Sequence, residues 1–429
     1  MKNGDKKHIV IIGGGFGGLN AALILSHARY RITLIDRRNF HLFQPLLYQV
    51  ASGGLSPADI AFPLRAIFKR QRNIQVVLGE VNEIDLGQRQ VKVNETTYTY
   101  DYLIVATGAG TSYFGHDAWA EFAPGLKTIE EATAIRGRIL SAFEKAEVEN
   151  DPEKKAALLT FAIIGGGPTG VEMAGAIAEL SRHTLKYDFL NINPSLARIL
   201  LIEGNDRILP SYPPELSQQA VHYLKHLGVE VLSGHYVNDV RANQLTLRNN
   251  KSDIKVPAAT IIWAAGVGVT SLGHALQQKY KLDSDRSGRI VVNNYCQIPG
   301  YDNAFVIGDL AHFKPDKGDP LPGIAAIAMQ QGRYVAKYII RSEKGLATDF
   351  FTYLDKGNLA VIGRKSAVAY RGKVKFTGIF AWLIWLFVHL LYLVGFENRI
   401  LVAIQWAFNY FTFNRSARLI TYTGSPSRS

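Results

Sequence analysis

The amino-acid sequence predicts an α/β protein with two Rossmann-like dinucleotide-binding domains plus a C-terminal membrane-anchoring helical segment. Three observations predict it. An apolar strand-like run, a glycine-rich turn and a helix-forming stretch occur in that order twice, at "VIIGGGFGGLN" (10–20) and "IIGGGPTGVE" (163–172). Each is followed by an apolar run tipped with an acid, and later by an apolar run ending in small residues. Near the C-terminus, "FTGIFAWLIWLFVHLLYLVGF" (376–396) runs for 21 residues without a formal charge.

The first loop fits Gly-x-Gly-x-x-Gly as Gly13, Gly15 and Gly18. Asp36 ends the next strand, "RITLID", 23 residues after Gly13. In such a fingerprint the glycines let the backbone approach a pyrophosphate. The helix N-terminus holds its charge, and the acid takes ribose hydroxyls. Gly14, Phe16 and Gly17 complete the loop, and Arg37 and Val81 join it as candidate contacts. "YDYLIVATGA" then brings Ala106, Thr107 and Gly108 to the end of a later strand, where a backbone can pass close to a ligand.

The second loop repeats this as Gly165, Gly167 and Gly170, with Gly166, Pro168 and Thr169 between them. Pro168 suits a first helical position. "RILLIE" ends at Glu203, 38 residues after Gly165; the excess falls in "SRHTLKYDFLNINPS", read as a helix extension and loop. "ATIIWAAGVG" supplies Ala265 and Gly266. Gly13 to Gly108 spans 95 residues and Gly165 to Gly266 spans 101, so the chain repeats itself. Two ligand-free tight turns would have to acquire the acid and strand context twice over. The expected domains are 1–120 with 290–345, then 121–289, then a C-terminal segment 346–429.

Composition sets the limits. The chain has 429 residues, 47% of them apolar, enough for two or three buried cores. Its one cysteine, Cys296, excludes a disulfide framework, a cysteine zinc site and an internal redox dithiol. The start, "MKNGDKK", has no apolar h-region, so a cytosolic start is expected. The eleven histidines show no ligand spacing, and no metal is expected; His41 and His389 read as structural. Of the net charge of +12, the last 70 residues carry +8: Arg364, Lys365, Arg371, Lys373, Lys375, Arg399, Arg415, Arg418 and Arg428 against Glu397. Basic plus strongly apolar suggests an anionic membrane surface, and no nucleic-acid motif is present.

Residues 376–396 have three readings: a membrane span, a buried or dimer-interface helix, or a helix lying in the membrane interface with 400–413 as its partner. In that partner Gln405, Asn409 and Thr412 form one polar stripe. Trp382, Trp385, Tyr392, Trp406 and Tyr410 supply interfacial aromatics. The interface reading is the expectation.

The order GGGFGG, ATG, GGGPTGVE, AAG and "AFVIGDLA" resembles the two-dinucleotide-binding-domain flavoproteins. That resemblance implies non-covalent FAD on the first loop, NAD(P)H on the second, and Asp309 of the Gly308-Asp309 pair on the flavin ribityl chain. Disulfide reductases and sulfide:quinone oxidoreductases of this superfamily use cysteines that this chain lacks. "NFHLFQPLLYQVASGGLSP" (39–57), "GVEMAGAIAEL", "EGNDRILP", "LPGIAAIAMQQGRYVAKYI" and "YLDKGNLAVIGRKSAVA" resemble the type II NADH:quinone oxidoreductases, single-subunit and non-pumping, over nearly all of 8–422.

The family resemblance implies a monotopic enzyme on the cytoplasmic face of the inner membrane. It would take NADH and a lipid quinone, ubiquinone or menaquinone, meet anionic lipids, and leave a homodimer open. Glu172 matches the family's Gly-x-Thr-Gly-Val-Glu, whose Glu faces the flavin; the plain alternative is a carboxylate favoured by the helix dipole. Glu203, if it meets a ribose, repels a 2′-phosphate and favours NADH. Gln49, Ala326, Gln330 and Lys365 are the candidate quinone residues. Gln330 or Gln331 lines the flavin or quinone pocket, or only caps a helix; Lys365 is either a surface lysine or faces the quinone. Many family members read Ala-Gln-x-Ala-x-Gln-Gln, the first Gln touching the quinone, where this chain has Ala326. Two rivals stay open: a reductase of a soluble acceptor, and a slow redox-sensing flavoprotein resembling apoptosis-inducing factor.

Overall fold

The computed structural model describes residues 6–249 and 252–421. Most of "MKNGDKK", and Arg428 of the basic count, lie outside the described residues. The chain divides into two compact units: Met1–Leu42, Ala61–Gly110 and Val267–Asp355 in one; Phe43–Ile60, Thr111–Gly266 and Lys356–Ser429 in the other.

The first unit holds a five-stranded sheet in the order Ala304–Val306, Tyr102–Val105, His8–Ile12, Arg31–Asp36, Ile74–Leu78, with parallel neighbours throughout. "HIVII" has no polar alternation because both its faces are covered, and all five residues are buried. The central strand feeds the first glycine loop and the helix Phe16–Leu25. That helix lies against Ala325–Ser342 so closely that a Cβ on Gly332 would sit 2.2 Å from the Gly17 carbonyl oxygen.

The second unit repeats the plan with four parallel strands, in the order Val229–Ser233, Arg198–Glu203, Thr160–Ile164, Thr260–Trp263. Its glycine loop leads into Pro168–Glu179, with Pro168 opening the helix. The 38-residue spacing to Glu203 is taken up by a π-helical turn, Leu180–Thr184, and a loop. An antiparallel sheet, Asn358–Gly363, Ser366–Arg371 and Val374–Thr377, packs on Pro168–Glu179. There a Cβ on Gly175 would fall 1.7 Å from the Ile362 carbonyl oxygen.

Two helices follow, Gly378–Tyr392 and Phe396–Thr412. The 21-residue uncharged run is not one helix. Its first residues finish the strand Val374–Thr377, and Gly395, at φ +87°, starts the next helix. The 15 helical residues reach roughly 22 Å, short of a hydrocarbon core of about 30 Å. Among the described residues no helix is long and apolar enough to cross a membrane.

Both helices are built inside out. Ile379, Leu383, Phe387 and Leu391 are exposed at four-residue intervals, as are Phe396, Ile400, Ile404 and Phe408. Asn398, Gln405 and Asn409 of Phe396–Thr412 point inward, while Glu397 is exposed. Asn398 donates to the carbonyls of Ala58 and Asp59, and Asn409 to that of Gly54. This is why segment 43–60 groups with the second unit, although its sequence neighbours belong to the first. Thr412 is the exception in the stripe, being exposed and bonded to its own helix at Phe408.

Candidate functional site

The two loops share one geometry, and each glycine has its own reason. Gly13 and Gly165 take φ +101° and +110°, and a Cβ on either would strike the strand end beside it, Ala106 at 2.3 Å and Ala264 at 2.7 Å. Gly18 and Gly170 each bring the helix onto the loop, where a Cβ would lie 1.8 Å from the carbonyl oxygen of Gly13 or Gly165. Gly15 and Gly167 differ from both: a Cβ there meets nothing within 4 Å. The middle glycine leaves its space at a helix N-terminus, where backbone N–H groups and the helix dipole favour an anion. Both loops therefore fit a dinucleotide pyrophosphate.

The acids repeat as well. The Gly14 N–H donates to Asp36 Oδ2 at 2.6 Å, and the Arg38 N–H to Oδ1 at 2.7 Å. The Gly166 N–H donates to Glu203 Oε2 at 2.7 Å, and the Asn205 N–H to Oε1 at 2.8 Å. Asn205 Nδ2 adds a third bond, at 2.6 Å. Burial raises the Asp36 carboxyl, while the Gly14 and Arg38 N–H groups pull it back. Each carboxylate braces its own loop and keeps accepting capacity for ribose hydroxyls. His41 braces the first loop too, its Nδ1 2.9 Å from the Gly14 oxygen and its ring edge-on to Phe16.

Elsewhere in the first unit, Gly308, at φ +72°, donates its N–H to Gln331 Oε1 at 2.7 Å, so Gln331 holds the turn that presents Asp309. Gln330 does something else: its amide clamps the Leu354 backbone, giving to the carbonyl and taking from the N–H, both at 3.0 Å. Ala326 lies at the start of Ala325–Ser342. Thr107 meets Thr270, hydroxyl to hydroxyl, at 3.1 Å. Arg37 directly follows the acid-tipped strand Arg31–Asp36, and Val81 opens the strand Val81–Asp85. Among the described residues, no three His, Cys, Asp or Glu side chains group as a metal site.

The second unit contains a pocket that is open to solvent. Its lining includes the aromatics Trp382, Trp385, Trp406, Tyr410 and Phe413 and, among them, Tyr48, Gln49, Glu172, Glu179, Arg364 and Arg415. Glu172 is 8% exposed. Burial lifts its carboxyl to about 8, against the smaller pull of the Val361 N–H at 3.4 Å and of the nearby Trp385 indole, which lacks good hydrogen-bond geometry. Glu172 thus holds a proton at neutral pH. Glu179 is paired instead: it accepts the Arg364 N–H at 2.5 Å and the Arg415 guanidinium at 3.3 Å. Gln49 Nε2 donates to the Tyr48 hydroxyl at 2.9 Å, and Gln49 Oε1 accepts the Trp406 indole N–H at 2.7 Å.

Of the expected quinone residues in this unit, Gln49 lines the pocket and Lys365 does not. Lys365 occupies a hairpin turn at φ +63°, exposed, while its neighbour Arg364 reaches in and stacks on Tyr410 and Phe413, 4.0 and 4.1 Å from their ring centres. Sequence reasoning missed Tyr48, Arg364, Glu179 and Arg415. The only signal was the adjacency of Tyr48 to Gln49 and of Arg364 to Lys365. His389 stays neutral, burial lowering it to about 4, with Nδ1 on the Trp385 carbonyl.

Residues 7–332 match the family model described as pyridine nucleotide-disulphide oxidoreductase, and residues 356–415 match that of the NDH2 C-terminal domain. The fold and its paired loops therefore place the chain in the first of these families. The type II NADH:quinone oxidoreductase Ndh of Mycobacterium tuberculosis is 46% identical over 97% of this chain and 90% of its own length. The type II NADH:quinone oxidoreductase of Staphylococcus haemolyticus is 30% identical over 85% and 89%. The chain belongs to the type II NADH:quinone oxidoreductases. In fold it is similar to NDH2 from Plasmodium falciparum, solved in complex with NADH, at a TM-score of 0.89 and 23% identity over 96% of this chain and 99% of that one. The sulfide:quinone oxidoreductase of Aquifex aeolicus shares the fold at 0.75 and 19% identity over 92% and 91%. A disulphide chemistry has no residues here: Cys296 is the one cysteine, and burial pushes its thiol far up.

Proposed function

We propose that this protein oxidises NADH and, through non-covalently bound FAD, reduces a lipid quinone at a membrane surface without pumping protons. The observation that carries this reading is the repeated loop, with an open middle glycine and a braced acid in both halves of one chain. Family membership supports the assignment of FAD to the first loop and NADH to the second. When bound, the flavin supplies hydride acceptance from a nicotinamide and electron delivery to a quinone.

The residues of this chain bind, orient and hold a proton. The backbones at Gly15 and Gly167 receive phosphates, and Asp36 and Glu203 receive ribose hydroxyls. Glu203 repels a 2′-phosphate. Arg207, four residues on, is spent on the carbonyls of Leu209, Pro210 and Tyr212 and on the Ser217 hydroxyl, so it offers no counter-charge. The pocket of the second unit takes the quinone head group, ubiquinone or menaquinone, against its aromatic side chains, and Glu172 holds a proton for it. Ala326 leaves the head group without the amide that many relatives offer. The exposed apolar rows of Gly378–Tyr392 and Phe396–Thr412 support seating in one leaflet, anionic and cytoplasmic, where NADH is available.

The protein purified with its native flavin and returned to lipid vesicles tests this reading. NADH oxidation that depends on an added benzoquinone or naphthoquinone is expected; a colourless protein, or one that no quinone reoxidises, overturns it.

A further inference from the structure

The hydrogen bonds Trp406–Gln49–Tyr48 have only one polarity. An indole N–H can donate and cannot accept. Gln49 must therefore turn its oxygen to Trp406 and its nitrogen to Tyr48, where the two heavy atoms lie 2.7 and 2.9 Å away. An amide N–H donates, so the Tyr48 oxygen accepts. The single hydrogen of Tyr48 is then directed away from Gln49. Among the described residues it has no acceptor, although Tyr48 is only 6% exposed and lines the pocket. A buried donor without an acceptor is costly, and a ligand carbonyl would relieve it.

We infer that Tyr48 donates a hydrogen bond to a carbonyl oxygen of the quinone head group, its proton aimed by the Trp406–Gln49 pair. This rests on the quinone reading of the pocket given above. The charged and titratable groups around Tyr48 are Glu172, Glu179 and Arg415. Glu179 and Arg415 are satisfied by each other and by the Arg364 N–H and the Ser52 carbonyl. Glu172 is itself protonated at neutral pH and does not compete for the proton. Burial holds the Tyr48 hydroxyl well above its usual range, so it remains a donor at every working pH. The polarity also ties the pocket to the membrane-facing helix, since Trp406 belongs to Phe396–Thr412.

Tyr48→Phe keeps the ring and removes the donor. Binding of decylubiquinone and of menadione to the oxidised holoenzyme, read by tryptophan fluorescence quenching, is expected to weaken about tenfold, with a matching rise in quinone KM. The rate of flavin reduction by NADH in stopped flow serves as the control and is expected to hold. Trp406→Phe lets the Gln49 amide turn over. It is expected to weaken binding about threefold in the parent and not at all in the Tyr48→Phe background. Parental affinity in Tyr48→Phe, or losses that multiply independently in the double variant, overturns the inference. A parent that binds and reduces no quinone overturns the functional reading instead, so the two failures are distinct.

Discussion

Glu172 shows how one buried carboxyl links stability to chemistry. In the unfolded chain it ionises near 4.5, and in the fold near 8. Between those values the folded state holds one proton more than the unfolded state, so raising the pH favours unfolding. The contribution of the protonated group is complete below about pH 4.5 and is lost as the pH rises through 8. Glu172→Gln mimics the protonated form. Its melting temperature should match the parent near pH 5 and exceed it by on the order of 2–6 °C near pH 8. The fall in NADH-to-quinone turnover above about pH 8 should vanish in the same variant, at a lower rate throughout. Equal melting curves at both pH values would show that the carboxyl is not buried in solution. Glu172 was legible from sequence because it stands at a fixed offset from a glycine loop. Tyr48 was not, because a tyrosine within "PLLYQVA" reads as core, and the Trp406 that orients its neighbour Gln49 lies 357 positions from that glutamine. Gln331 was only half legible: Gln330 and Gln331 look alike in sequence, and their helix phase decides which of them reaches Gly308.

The C-terminal helices teach a different lesson about charge. The sequence counts +8 in the last 70 residues, but a segment count ignores acids elsewhere in the unit. Arg415 pairs with Glu179, Lys375 with Glu215, and Arg418 with Asp188. These cations staple the C-terminal segment to the second unit, which leaves less charge for lipid headgroups than the tally suggests. The apolar rows should then dominate membrane attachment, as they are insensitive to screening. Washing vesicles in 1 M salt, where the Debye length is about 3 Å, should leave most of the protein bound. Phe387→Glu with Phe408→Glu should release most of it without loss of fold, since these side chains are 66% and 54% exposed. Release by salt alone, or a double variant that still pellets with vesicles, would count against apolar seating. Helix length was illegible for a local reason: an uncharged run does not announce where a strand hands over to a helix.

On the scale of the whole molecule, the parallel sheets and both loops could be read from sequence because each loop lies within about 40 residues of its strand and acid. The pocket could not, because it gathers residues 48–54, 172–184, 361–364 and 382–415, whose meeting depends on long-range packing. The repeat still yields a test of how two like sites divide one reaction. Gly15 and Gly167 are the two loop glycines at which an added Cβ meets no protein atom within 4 Å, with φ of −69° and −72°. Valine can adopt that backbone, so Gly15→Val and Gly167→Val should fold, and their defects should be defects of binding. Gly18→Val and Gly170→Val, by contrast, must displace a carbonyl oxygen 1.8 Å from the new Cβ and should fail to accumulate. With its branched side chain where the first pyrophosphate approaches, Gly15→Val should purify colourless. Gly167→Val should stay yellow, be reduced by dithionite and be reoxidised by quinone at the parental rate. Its reduction by NADH should need at least tenfold more NADH, since a lost phosphate contact is worth on the order of 1.4 kcal/mol or more. Flavin loss in Gly167→Val with retention in Gly15→Val would reverse the assignment of the two loops. Equal flavin content and equal NADH affinity in both variants would show that neither loop carries a dinucleotide.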